Sequence, residues 1–109
     1  MNTVKIEVYG RVQGVNFRNN VKGFCDSVGI KGRAMNLESG SVKITVQCSK
    51  KELMELMGWI EKNPGLARVD RVEVAYVTTK EIYDDFRVVK EYSYLKDKEK
   101  ALGNLLRHF

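Results

Sequence analysis

Val4, Ile6 and Val8 alternate with Lys5 and Glu7, a period of two that predicts a half-buried strand ending at Gly10. From about Phe17 the period lengthens. Val21, Phe24, Cys25 and Val28 fall at helical spacing, and Gly29 can end that helix. A second strand is expected from about Lys31 to Asn36, followed by the hairpin-type connection "LESG". Val42, Ile44 and Val46 then alternate as a third strand. Ser49 is suited to cap the next helix, with Glu52 three residues on as the reciprocal half of a capping box. The apolar stripe of that helix is Leu53, Leu56, Met57 and Ile60, and Asn63-Pro64-Gly65 stops it. Val69 to Val77 alternate as a fourth strand, and Phe86 to Val89 read as a short fifth.

Strand, helix, strand, strand, helix, strand is the order of an α+β, ferredoxin-like two-layer sandwich. Such a βαββαβ fold carries an antiparallel sheet with both helices on one face. The predicted domain spans 1–90, and 91–109 is expected to be a C-terminal helical extension. In that extension Leu95, Leu102, Leu105, Leu106 and Phe109 lie near one side, opposite Lys96, Lys100 and Arg107. Such a helix is marginal alone and would pack on the domain or associate with another chain. Many unrelated activities use this architecture, so it decides no function.

Composition narrows the choice. At 109 residues, with 43% hydrophobic and 30% charged residues, the chain suits one soluble domain. No apolar run approaches the roughly 20 residues that span a bilayer, and the N-terminus lacks a signal-peptide core. The expectation is a cytoplasmic protein without a membrane partner. Cys25 and Cys48 read as buried free thiols, and His108, the only histidine, stands next to last. Histidine-based or thiol-based catalysis therefore has little to build on, and no metal or other cofactor is implied. The net charge is +5, and residues 1–33 carry six basic side chains against two acidic ones. A local anion site fits that bias better than a long nucleic-acid track.

The candidate for that site is "VYGRVQGVNFR", Val8 to Arg18. Gly10 to Asn16 would form the turn between the first strand and the first helix, with Phe17-Arg18 opening the helix. Glycines permit positive φ and close backbone approach, so successive N–H groups can turn toward one anion. The first helical turn adds N–H donors and the positive end of the dipole, and Arg18 adds a planar donor fork. The stretch is neither a Walker A loop nor a G-x-G-x-x-G fingerprint.

At every position this stretch resembles the acylphosphatase signature, an aliphatic residue followed by Gly-x-Val-Gln-Gly-Val-x-Phe-Arg. Gly32, Asn36, Gly40 and Val42 resemble the family's second signature. The resemblance covers roughly residues 3–90. It implies hydrolysis of acyl phosphates, with phosphate held by Arg18 and by the backbone amides of Gln13, Gly14, Val15, Asn16 and Phe17. It implies that Asn36 orients the attacking water. The partner would be a small acyl phosphate rather than a nucleic acid. The chain departs from the family at Arg33, usually aromatic, at Cys48, usually glycine, and at Met35, more often basic. Arg33 would either add to the positive field or, the favoured expectation, sit in solvent.

Two other readings compete. "KGFC", Lys22 to Cys25, begins like an RNA-recognition octamer, but it lies on a helix and lacks the strand aromatics that stack on bases. The second is an acylphosphatase-like regulatory or partner-binding module with little activity.

Overall fold

The computed structural model of the protein describes residues 2–90; the expected C-terminal helix and His108 lie outside them. The elements are β1 (Asn2–Arg11), α1 (Phe17–Val28), β2 (Lys31–Asn36), β3 (Val42–Cys48), α2 (Lys50–Ile60), β4 (Arg68–Val77) and β5 (Phe86–Val89). They form one sheet in the order β4-β1-β3-β2-β5. The first four strands pair antiparallel, as a ferredoxin-like sandwich requires. The short β5 adds to β2 in parallel, so the five-stranded sheet is mixed rather than wholly antiparallel.

The period-two residues explain which face is buried. β1 and β3 match Val4 with Val46, Ile6 with Ile44 and Val8 with Val42, and all six are buried. Val21 and Cys25 of α1 and Leu53, Leu56 and Ile60 of α2 close over them in one core. A core residue of this size contributes about 1.5–3 kcal/mol of transfer free energy. The Phe24 and Trp59 rings, stacked 4.9 Å apart, join the two helices at the rim of that core.

Local chemistry sets the helix ends. The Ser49 side chain accepts from the Glu52 N–H at 3.1 Å, and the Glu52 carboxylate accepts from the Ser49 N–H at 2.9 Å. That is the predicted capping box. At the end of α1 the Ile30 N–H donates 2.9 Å to the Cys25 carbonyl.

Three expectations are corrected. β1 does not end at Gly10 but continues to Arg11, because a bulge at Tyr9/Gly10 lets pairing with β4 resume. Gly10, at φ 132°, lets β4 approach: a Cβ there would run into the Arg68 carbonyl oxygen and lie 2.8 Å from the Asp70 nitrogen. It therefore serves the sheet and not an anion. On β4 the alternation marks a face without burying it. Val74 and Tyr76 pair with Ile6 and Val4, yet are 43% and 63% exposed, because an edge strand reaches past the helices.

The third correction concerns Arg33, which is not a solvent side chain. β4 and β5 occupy opposite edges, so the connection over 78–85 crosses the face away from the helices. Gln47 holds this crossover, its Nε2 donating 2.6 Å to the Glu81 carbonyl and its Oε1 accepting from the Tyr83 N–H at 2.8 Å. Arg33 projects from β2 beneath it. Its guanidinium lies 4.6 Å from the Tyr83 ring centroid and donates to the Asp85 carboxylate at 3.1 Å and carbonyl at 3.0 Å. Arg87 holds the other Asp85 oxygen at 3.0 Å. The Arg87 hydrogen bond, helped by the Arg33 charge, keeps the Asp85 carboxyl below its ordinary pKa.

Candidate active site

The turn after β1 and the start of α1 meet the end of β2 on the helix-covered side of the sheet. Gly14 at φ 76° and Asn16 at φ 65° both take left-handed backbone, which folds this turn tightly into α1. Asn16 occupies the N-cap position but makes no capping hydrogen bond. Its side-chain oxygen instead accepts from Asn19 Nδ2 at 2.7 Å. The first N–H groups of α1 are thus not consumed by their own cap and stay available to an anion.

Gly14, Asn16, Phe17 and Arg18 line a pocket of about 170 Å³ together with Asn36. Val12 and Asn19 complete its walls. The two residues that the resemblance singles out for chemistry, 18 positions apart in sequence, therefore share one small cavity. Gln13 and Val15, also expected among the phosphate-binding amides, do not line it. Val15 packs against the core. The Gln13 side chain turns toward the β2–β3 connection, where its Nε2 donates 2.8 Å to the Leu37 carbonyl and 2.9 Å to that of Ser41.

Arg18 is half-buried, and its Nη1 donates 2.8 Å to the Val89 carbonyl at the end of β5. One donor of the fork fixes the guanidinium while others remain for a ligand. Asn36 Oδ1 is fully buried and has no hydrogen-bond partner among the described residues. Buried acceptors are nearly always satisfied, so an orphan of this kind on a pocket-lining residue stands out.

Sequence reasoning missed the Gln13 bridge, the Val89 tether and the wall residues Val12 and Asn19. Asn19 carries a readable signal, since three residues after Asn16 it stands beside it on the helix. The Val89 contact carries none, being made by a main-chain oxygen 71 positions away.

The acylphosphatase family model matches residues 4–88. The chain belongs to the acylphosphatase family. It is 38% identical over 86 residues to the acylphosphatase of Caldanaerobacter subterraneus subsp. tengcongensis, covering 79% of this chain and 96% of that relative. It superposes on the acylphosphatase of Bacillus subtilis with a TM-score of 0.76 at 27% identity, covering 82% of this chain and 99% of the other. It also matches full-length HypF, solved in a phosphate- and nucleotide-bound form, with a TM-score of 0.74 and 34% identity. That match covers 84% of this chain and 12% of HypF. The fold expected from periodicity is the family's fold.

The cysteines lie apart from this site. Both are buried and unpaired, and burial pushes the Cys25 thiol up to about 12 and the Cys48 thiol up to about 11. Neither is activated as a nucleophile. Among the described residues no helix is long and apolar enough to cross a membrane.

Proposed function

We propose that the 170 Å³ pocket is where an acyl phosphate is hydrolysed to a carboxylate and inorganic phosphate. Acylphosphatase activity comes with the family; the residue roles are our reading. The phosphoryl group lies against the main-chain amides of the pocket-lining Gly14, Asn16 and Phe17, without those of Gln13 and Val15, and the Arg18 fork neutralises charge on its equatorial oxygens. Water oriented by the Asn36 side chain attacks phosphorus opposite the acyl oxygen. The new P–O bond forms as the P–O bond to the acyl group breaks, the electron pair leaves on the carboxylate, and the water's protons pass to phosphate and solvent.

The leaving group explains why so few residues suffice. A carboxylate is stable without a proton, so no general acid is needed. Positioning and charge stabilisation carry the reaction. The observation that carries this reading is that Arg18 and Asn36 line the same small pocket beside the start of α1. Hydrolysis of benzoyl phosphate tests it: the chain should turn the substrate over with inorganic phosphate as a competitive inhibitor. Absence of turnover in the folded chain would leave an acylphosphatase-like regulatory or partner-binding module, the kind of part that a match to 12% of a larger protein, HypF, favours.

A further inference from the structure

Arg18 is held by the last residue of β5, a short edge element whose first residue, Phe86, is buried in the core. β5 has four residues and, among the described residues, lies at the sheet edge and pairs with β2 on one side only. Its length is about 10 Å, so a shift at its start is carried to Val89. Its start is gripped from below. Arg33 Nη1 donates to the Gly32 carbonyl at 2.6 Å and to two oxygens of Asp85, while the Gly32 N–H donates 3.0 Å to the Asp85 carbonyl. The Tyr83 ring covers the same guanidinium, and Gln47 fixes the Tyr83 backbone. Asp85 immediately precedes β5.

We propose that Arg33 is a positioning residue for the phosphate site: through Asp85 and Tyr83 it sets the start of β5, and the far end of β5 aims the Arg18 guanidinium. Arg33 stands on the face of the sheet opposite the pocket and touches no substrate. A guanidinium suits the position because its flat face covers the Tyr83 ring while the two N–H groups of Nη1 are shared among the Gly32 carbonyl and two Asp85 oxygens. The inference rests on the proposed role of Arg18 as a phosphate ligand.

The test uses the full chain and inorganic phosphate, followed by amide chemical shifts of residues 13–18, with benzoyl phosphate kinetics alongside. Arg33→Ala should weaken phosphate binding by at least about fivefold and raise KM in proportion, with a smaller change in kcat. Arg33→Lys should recover part of the loss, since an ammonium still pairs with Asp85 but lacks the flat face that covers Tyr83. Asp85→Asn should act in the same direction, and adding it to Arg33→Ala should do little more. The core variant Ile44→Val serves as control: it lowers Tm and leaves the phosphate Kd unchanged. Wild-type phosphate affinity in folded Arg33→Ala overturns the proposal, as does a loss that merely tracks Tm. A wild-type chain that binds phosphate without hydrolysing benzoyl phosphate defeats the proposed function alone, because the Kd series still decides the role of Arg33. A wild-type chain that binds no phosphate defeats both.

Discussion

Gln13 Nε2 bonds the carbonyls of Leu37 and Ser41 at 2.8 and 2.9 Å, joining the turn after β1 to the connection that follows Asn36. One carboxamide thus spans the two halves of the pocket. Ser41 is held in turn by Glu7 through a 2.6 Å bond from its hydroxyl. The spacing between Arg18 and Asn36 therefore depends on a residue that does not line the cavity.

Gln13→Ala should cost about 1–2 kcal/mol of stability, as two part-buried carbonyls lose their donor. The larger effect should be on activity, with kcat/KM down by roughly tenfold or more as the two halves drift. Gln13→Glu is the sharper measurement. It keeps the shape but presents only acceptors to two carbonyls, so it should fall below Gln13→Ala in both Tm and kcat/KM. If Gln13→Glu matches the wild type, the bridge has no functional weight.

Gly10→Ala should destabilise the fold by roughly 3 kcal/mol or more, because φ 132° is strained for an L side chain and the new Cβ meets the Arg68 backbone. Chemical denaturation gives the number. Gly10 also marks a limit of sequence reading. Its spacing to Gly14 looks like one phosphate turn, yet only Gly14 lines the pocket, and the partner of Gly10 lies 58 positions downstream. The contacts of Arg33 are hidden from sequence for the same reason, since Tyr83 and Asp85 are about 50 positions away. What could be read was local or periodic: the Ser49–Glu52 capping box, the Val4-Ile6-Val8 face and the stop at Gly29. The pairing of Asn36 with Arg18 came from resemblance, because nothing in the spacing of an asparagine on a strand announces an unpartnered oxygen.

The two cysteines should make the chain sensitive to alkali. Their folded pKa values, about 12 and about 11, lie above the ordinary thiol value of about 8.5. Between pH 9 and 12 the unfolded chain loses thiol protons that the folded chain keeps, so stability falls as pH rises through that window. Below pH 8 the thiols contribute no pH dependence. Cys25→Ala should flatten the alkaline limb of Tm against pH, whatever it does to Tm at neutral pH. Native thiols should also react with a disulfide reagent at pH 8 only as fast as the protein opens; rapid labelling of the folded chain would contradict their burial.

Arg18→Gln and Asn36→Ala should fail in different ways. Arg18→Gln removes charge and fork, weakening both phosphate inhibition and kcat/KM, with a transition-state loss of roughly 3 kcal/mol or more. Asn36→Ala leaves Arg18 and the turn in place, so phosphate inhibition stays near normal while kcat falls by about 100-fold or more. Because Asn36 Oδ1 is a buried acceptor without a partner, its removal should leave Tm unchanged or raised. A stable but slow enzyme is the expected signature. If Asn36→Ala abolishes phosphate binding and spares kcat, the two roles are reversed.

The Val89 tether makes the point of truncation decisive. The family match ends at residue 88, whereas the carbonyl that holds Arg18 belongs to the next residue. A chain ending at Lys90 keeps β5 complete and keeps Val89 in an amide, so its kcat/KM for benzoyl phosphate should match that of the full chain within about twofold. A chain ending at Val88 loses the acceptor and the last β2–β5 pair, Met35 with Val89. With one charge-assisted hydrogen bond gone, the guanidinium is free to turn out of the pocket, and kcat/KM should drop by about tenfold. Circular dichroism should show both truncated chains folded, since the buried Phe86 anchor is present in each. A third chain, ending at Val89, separates the charge from the geometry. It places a carboxylate beside Arg18, which strengthens the tether but competes with phosphate for the fork, so phosphate inhibition should weaken relative to the chain ending at Lys90. Equal kinetics in all three chains would show that β5 does not aim Arg18, and would also remove the route by which Arg33 is proposed to act.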